Sequence, residues 1–165
     1  MSVSLRVLGI DPGFDRMGFG LIEQKGSTAT HLTHGVVQTS KSMTFAERLL
    51  MTRDELKKLL TMHAPDRVIV EQLFFQNNAK TAINVAMARG VTIVTIAETG
   101  IPVFELTPNQ VKQGITGHGA ADKKQVQAMV QRILNLKEIP KPDDAADALA
   151  IAIVGGLLPD RSILR

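Results

Sequence analysis

The spacing of apolar residues changes along this chain, and each change marks an element. Val7-Leu8-Gly9-Ile10 is a continuous apolar run closed by an acid, so Leu5 to Asp11 reads as a buried strand. Met17 to Gln24 predicts a second strand, with Asp11-Pro12-Gly13 and the nearby Gly18 and Gly20 supplying turn chemistry. Thr30 to Thr39 completes a meander. Phe45, Leu49, Leu56, Leu59, Leu60 and His63 then recur at helical spacing, which predicts an amphipathic helix over Met43 to His63, stopped before Pro65. Val68 to Glu71 follows as a fourth strand, Asn77 to Ala97 as an alanine-rich second helix, and Ile101 to Leu106 as a short fifth strand. Val126, Met129, Val130, Ile133 and Leu134 mark another amphipathic helix beginning near Asp122, and a last helix starts after Pro142. Strands paired first as a meander and later alternating with helices predict an α/β fold: a five-stranded mixed sheet flanked by helices. The sequence has no repeat or low-complexity linker, so residues 1–165 are expected to form one domain.

Composition narrows the class. With 44% hydrophobic and 21% charged residues the chain is ordinary for a globular protein, and no apolar run reaches the roughly 20 residues of a membrane-spanning helix. Its first residues lack the pattern of a secretory signal. The absence of cysteine excludes disulfides and thiolate metal sites and fits a reducing cytosol, so a cytoplasmic location is expected. A formal charge of +3 and a pI near 9.4 are by themselves a weak pointer to a polyanionic partner. Two divalent ions held by the protein would raise that charge to about +7 and give a strong positive field toward nucleic acid.

The candidate chemistry lies in acids at the ends of apolar segments. Asp11 closes the first strand, Glu71 closes the fourth, and Asp144 and Asp147 open the apolar stretch from Ala145 to Leu158. Each has an ordinary explanation in isolation: a turn residue for Asp11, a solvated strand end for Glu71, and first-turn acids favoured by the helix macrodipole for the pair. A step of three residues leaves Asp144 and Asp147 on one helical face, so they can also share a cation. Asp143, four residues before Asp147, faces the same side. Three remote segments that all end in acid point to one site. Gathered acids about 5 Å apart would repel by roughly 3 kcal/mol per pair at an effective dielectric of 20, a penalty that divalent cations remove. Carboxylate oxygens select Mg²⁺, with Mn²⁺ as a substitute, over Zn²⁺, and His31, His34, His63 and His118 are too scattered to argue otherwise. Two such ions about 4 Å apart activate a water and stabilise a leaving 3′ oxygen in phosphodiester hydrolysis.

These segments, in order, carry a specific resemblance. Gly9-Ile10-Asp11-Pro12-Gly13 with Gly18-Phe19-Gly20, Val70-Glu71-Gln72-Leu73-Phe74, Ala88-Arg89-Gly90-Val91, Val111-Lys112-Gln113, and Asp144-Ala145-Ala146-Asp147-Ala148-Leu149-Ala150 resemble the RuvC-type Holliday-junction resolvases over nearly the whole chain. The resemblance implies an RNase H-like fold and a Mg²⁺-dependent endonuclease that makes paired nicks in four-way DNA junctions for recombination and repair. It implies a homodimer and a branch-migration motor of the RuvA and RuvB type as a further partner, while the hydrolysis chemistry leads to the expectation of two ions per subunit. Asp11, Glu71, Asp144 and Asp147 fall on the family's four acidic positions, whereas Asp143 is additional.

Two segments are candidates for holding DNA. Gly114 to Lys124 reads as a glycine-rich loop entering a helix, which exposes backbone N–H groups to phosphate, although no Gly-Lys-Ser/Thr of a P-loop follows. Within and beside it, Lys112, Lys123 and Lys124 lie at or near positions that the similar family uses for DNA contact and catalysis, and Lys123 is expected to face the scissile phosphate. Phe74-Phe75, directly after Glu71, suits either a hydrophobic staple or a wedge against unstacked bases, and the resemblance implies the wedge for Phe74. Two rivals remain at this stage. An actin-like ATPase or sugar kinase shares the first acid-and-glycine turn but needs two lobes, and 165 residues supply room for one. A junction-binding scaffold with a vestigial pocket would lack some of the acids, and all four are present.

Overall fold

The computed structural model describes residues 4–73 and 79–159. Strands β1 (Ser4–Asp11), β2 (Arg16–Lys25) and β3 (Thr28–Gln38) form the antiparallel meander. After helix α1 (Phe45–His63), strand β4 (Arg67–Glu71) pairs parallel to β1, and after α2 (Ala79–Ala97), β5 (Val103–Leu106) pairs parallel to β4. The sheet order is therefore β3-β2-β1-β4-β5, with the two chemistry-bearing strands side by side. Three helices follow: α3 (Pro108–Thr116), α4 (Lys123–Ile133) and α5 (Asp143–Gly156).

Side chains alternate across a strand, so each strand feeds two cores. Leu8 and Ile10 of β1, with Val68 and Val70 of β4, pack against Leu56 and Leu60 of α1 and Ile96 of α2. Val7, Ile69, Phe104 and Leu106 face the opposite way and pack with α3, α4 and α5. Asp11 shares its side with Val7 and Gly9, and Glu71 shares its side with Ile69. The period of two thus turns both acids toward the α5 layer.

Helix α5 lies very close to the sheet because the contact surfaces are small. Ala145, Ala146, Ala148, Ala150 and Ala152 are buried on the helix. On the sheet, a methyl group at Gly9 would overlap the Ala148 carbonyl oxygen, and one at Gly18 would overlap the carbonyl oxygen of Asp144. Gly18 pairs with Asp11 across the β1–β2 ladder, so the same glycine contact that seats the helix brings its first turn beside Asp11. Leu149 and Ile151, both wholly buried, anchor the helix at about 1.5–3 kcal/mol each.

Helix α3 departs from the sequence expectation. Gly114, Ile115 and Thr116 are helical, and the glycine-rich connection is confined to residues 117–122. The start signal is a capping box: Thr107 accepts from the Gln110 N–H, Gln110 returns a bond to the Thr107 N–H, and Pro108 opens the helix. Gly117, at φ +84°, ends it in the left-handed region that glycine tolerates. Among the described residues, no helix is long and apolar enough to cross a membrane.

Candidate active site

Asp11 and Glu71 stand at adjacent ends of parallel strands, one step beyond the paired Ile10 and Val70. The N-terminus of α5 crosses over them through the Gly18 contact and supplies Asp144 and Asp147. Burial is the main reason that the Asp11 carboxyl is pushed up to about 7; the charges of Asp147 and Asp144 add to it, and Lys123 offsets part. Glu71 is also pushed up to about 7, again mainly by burial, then by Asp11 and Asp147, against Lys112 and Lys123. Asp147 is raised by burial despite its bond from Lys123, with Asp143 and Asp144 adding repulsion. The acids therefore share one electrostatic field.

Two cations hold the α5 acids. Lys123 Nζ lies 3.1 Å from Asp147 Oδ2 and 3.3 Å from Asp143 Oδ2. Burial alone would lower the Lys123 pKa, but its hydrogen bonds and ion pairs with those two acids prevail and raise it. Arg16 Nη1 lies 3.4 Å from Asp144 Oδ2. Asp11 and Glu71 have no ion pair among the described residues. The backbone positions of the four acids come together, but their oxygens do not close on a common point: among the described residues no three acidic or histidine side chains are set closely enough to hold one ion as they stand. The physical reason is visible in the pairs. Asp144 is drawn to Arg16 and Asp147 to Lys123, while the Asp11 charge disfavours ionised Glu71.

Asp143 sits apart from the other α5 acids. Its side chain is 65% exposed, accepts a hydrogen bond from Gln127 Nε2 at 3.1 Å, and is held below the usual carboxylate range by that bond and by Lys123. It fits a partner for Lys123 better than a metal ligand. The remaining set of four half-buried carboxylates, with hard oxygens and mutual repulsion, fits a hard divalent cation.

The basic residues divide between two openings. Lys112, on α3, lines a cavity of about 270 Å³ together with Glu71, Asp147 and Lys123. Lys123 also reaches a second cleft of about 1000 Å³, lined by Arg16, Arg48, Lys141, Asn84 and Thr81 among others. Lys124 is exposed and lines neither. Both Lys123 and Lys124 occupy the first turn of α4, where the helix dipole disfavours cations, so the placement is not explained by helix stability. Phe74 lies outside the described residues. His118 is exposed in the 117–122 connection, and His31 and His34 pair with each other on β3 at 2.8 Å.

Sequence reasoning missed Arg16, Lys141 and Asn84, because single polar residues on a strand, a loop and a helix carry no pattern. It also missed the support beneath Glu71. Arg89 of α2 pairs with Glu105 of β5 and reaches the Glu71 carbonyl at 3.4 Å, while Gln72 donates to Glu105 at 3.3 Å. This network fixes the end of β4.

A family model described as "Crossover junction endodeoxyribonuclease RuvC" matches residues 7–155. Proteins of that name from Thermosipho melanesiensis and Thermotoga maritima are 48% and 50% identical over 148 and 149 residues. Each alignment covers 90% of this chain, and 94% and 89% of those proteins. Among solved structures, Thermus thermophilus RuvC in complex with a Holliday junction substrate superposes with a TM-score of 0.86 at 40% identity, covering 91% of this chain and 92% of that one. A yeast mitochondrial Holliday junction resolvase shares the fold at a TM-score of 0.65 and 16% identity, over 92% of this chain and 78% of that one.

The raised acids make metal-free stability depend on pH. A carboxyl whose folded pKa exceeds its unfolded value stabilises the fold below the unfolded pKa, near 4, and that contribution is lost as pH rises through the folded value, here about 7 for Asp11 and Glu71. His31 and His34, lowered mainly by burial, act with opposite sign in the same window, so the difference between two proteins is the useful readout. In chelator, the melting temperature of Asp11→Asn is expected to gain on wild type from pH 5 to about pH 7 and then level off, and added Mg²⁺ at pH 8 to narrow the gap. Parallel melting curves across that range would refute the crowding of Asp11.

Proposed function

Because the chain belongs to the RuvC family of crossover junction endodeoxyribonucleases, we propose that its four strand-end and helix-start acids form the site at which it resolves Holliday junctions by paired, symmetric nicks. Nucleases of this family are metal-dependent. In this reading Asp11, Glu71, Asp144 and Asp147 would together hold the metal, Mg²⁺ or Mn²⁺, with two ions per subunit. When bound, the metal supplies an activated water and a counter-charge for the leaving 3′ oxygen.

The chain's own residues do the rest. Lys123 sits between Asp143 and Asp147 at the mouth of both openings, and in the loaded site it would turn to the scissile phosphate and stabilise the charge that develops there. Lys112 flanks the same cavity and contacts the DNA strand beside Glu71. Lys124, one residue on and exposed, meets a neighbouring phosphate. Phe74, three residues beyond Glu71, is the wedge that unstacks bases at the crossover. The observation that carries the reading is the strand register that sets Asp11 and Glu71 side by side under the first turn of α5.

The paired cut calls for two sites related by symmetry, and helix α2 supports a homodimer. Ile83, Met87 and Val94 are more than half, half and more than half exposed on one face, and Gly90 between them meets open space. Ala86 is exposed beside them, while Ala82 is half-buried. An apolar stripe of this kind at helical spacing suits self-association about a two-fold axis. The branch-migration motor of the RuvA and RuvB type remains a partner proposed on family likeness.

With Mg²⁺ and a synthetic four-way junction, Asp11→Asn is expected to lose at least about 100-fold in nicking, the scale of losing a charge-stabilising group, while still binding the junction. Undiminished nicking would remove Asp11 from the mechanism. Met87→Glu is expected to convert the dimer to monomer in light scattering and to yield single rather than paired nicks; an unchanged dimer would exclude the α2 face.

A further inference from the structure

Arg16 is the cleft arginine without a fixed structural task. Arg48, the other, is locked in place: its Nε donates to Thr39 Oγ1 at 2.8 Å, it pairs with Asp15, and its guanidinium lies 4.0 Å from the Phe14 ring centroid. Arg16 instead opens β2 with a side chain 49% exposed, and its ion pair is the 3.4 Å contact to Asp144 Oδ2. That separation exceeds the 2.7–2.9 Å typical of strong charge-assisted bonds, so the pair is easily exchanged. Its location is also specific. The residue stands two positions before Gly18, the point where β2 touches the backbone of Asp144, so the guanidinium reaches the acid and the cleft from one backbone position.

A carboxylate that coordinates a dication has little left to offer a guanidinium, and the two cations then repel at short range. The free guanidinium has the roughly 1000 Å³ cleft beside it, lined also by Lys141 and Asn84. A planar fork of N–H donors matches a phosphodiester. We propose that Arg16 is a positioning residue that exchanges Asp144 for a backbone phosphate of the junction when the metal site fills, so that metal and DNA strengthen each other's binding. The inference rests on the reading that Asp144 is a metal ligand and that the cleft takes DNA.

The two halves of the exchange have opposite signs in one variant. Without DNA, Arg16 competes with the metal, so Arg16→Ala and Arg16→Gln are expected to bind Mn²⁺ about 3-fold more tightly than wild type by calorimetry. With Ca²⁺ present and no cutting, the same variants are expected to bind a four-way junction about 5- to 10-fold more weakly, and the dependence of log affinity on log salt to flatten by about 1. In chelator their junction affinity should match wild type within about 2-fold. Arg16→Lys, which keeps the charge and loses the fork, should keep the wild-type salt slope.

Equal weakening with and without Ca²⁺ would overturn the exchange and leave a plain phosphate contact. No change in either measurement would remove Arg16 from DNA binding altogether. Mn²⁺ binding that is equally tight in wild type and Asp11→Asn would instead overturn the metal-site reading beneath it. The three failures are therefore distinguishable.

Discussion

Four acids on two strands and one helix must lie within one electrostatic field, and the close seating of α5 on glycine positions of β1 and β2 is what forces them there. Without a Cβ at Gly9 and Gly18 the helix backbone reaches the sheet backbone, and its first turn arrives over the strand ends. Strand alternation and parallel pairing then aim Asp11 and Glu71 at it. The fold accepts a local penalty, visible in two carboxyls pushed up to about 7, in a set of hard oxygens that fits a divalent cation.

The cations around these acids belong to the same logic. Lys123 and Arg16 each pair with an α5 acid, which tempers the repulsion while no metal is bound. Both also line the large cleft, where a polyanion would be received. Lys123 and Lys124, at the first turn of α4, work against the helix dipole, so their placement does not come from helix stability. Asp143 completes this arrangement from outside, tied to Gln127 and Lys123 rather than to the crowded set.

Much of this was legible in the sequence because the relevant signals are periodic. Apolar runs ending in acid marked β1 and β4, and the three-residue step marked the face of α5. The five-stranded mixed sheet followed from meander and alternation, although observed boundaries shift by one or two residues, as at β3 (Thr28–Gln38) and β5 (Val103–Leu106). Helix α3 was missed because its glycine and polar content hides a weak apolar stripe of Val111 and Ile115, even though Thr107, Pro108 and Gln110 spelled its start. Arg16, Lys141 and the Arg89–Glu105 pair were not legible at all, since their significance comes from neighbours brought close only by the fold, as with Asp144, 128 residues beyond Arg16. The orientation of Asp143 likewise depends on Gln127 of another helix.

The claim on which the account depends is that crowded acids become a metal centre. Anomalous diffraction from crystals of the wild-type protein soaked in Mn²⁺ tests it directly. The account predicts peaks whose first-neighbour oxygens, at about 2.0–2.3 Å, come from Asp11, Glu71 and the α5 acids Asp144 and Asp147, with Arg16 and Lys123 displaced from those acids. Saturating Mn²⁺ that leaves the four carboxylates apart, or that is held by other residues, would contradict it.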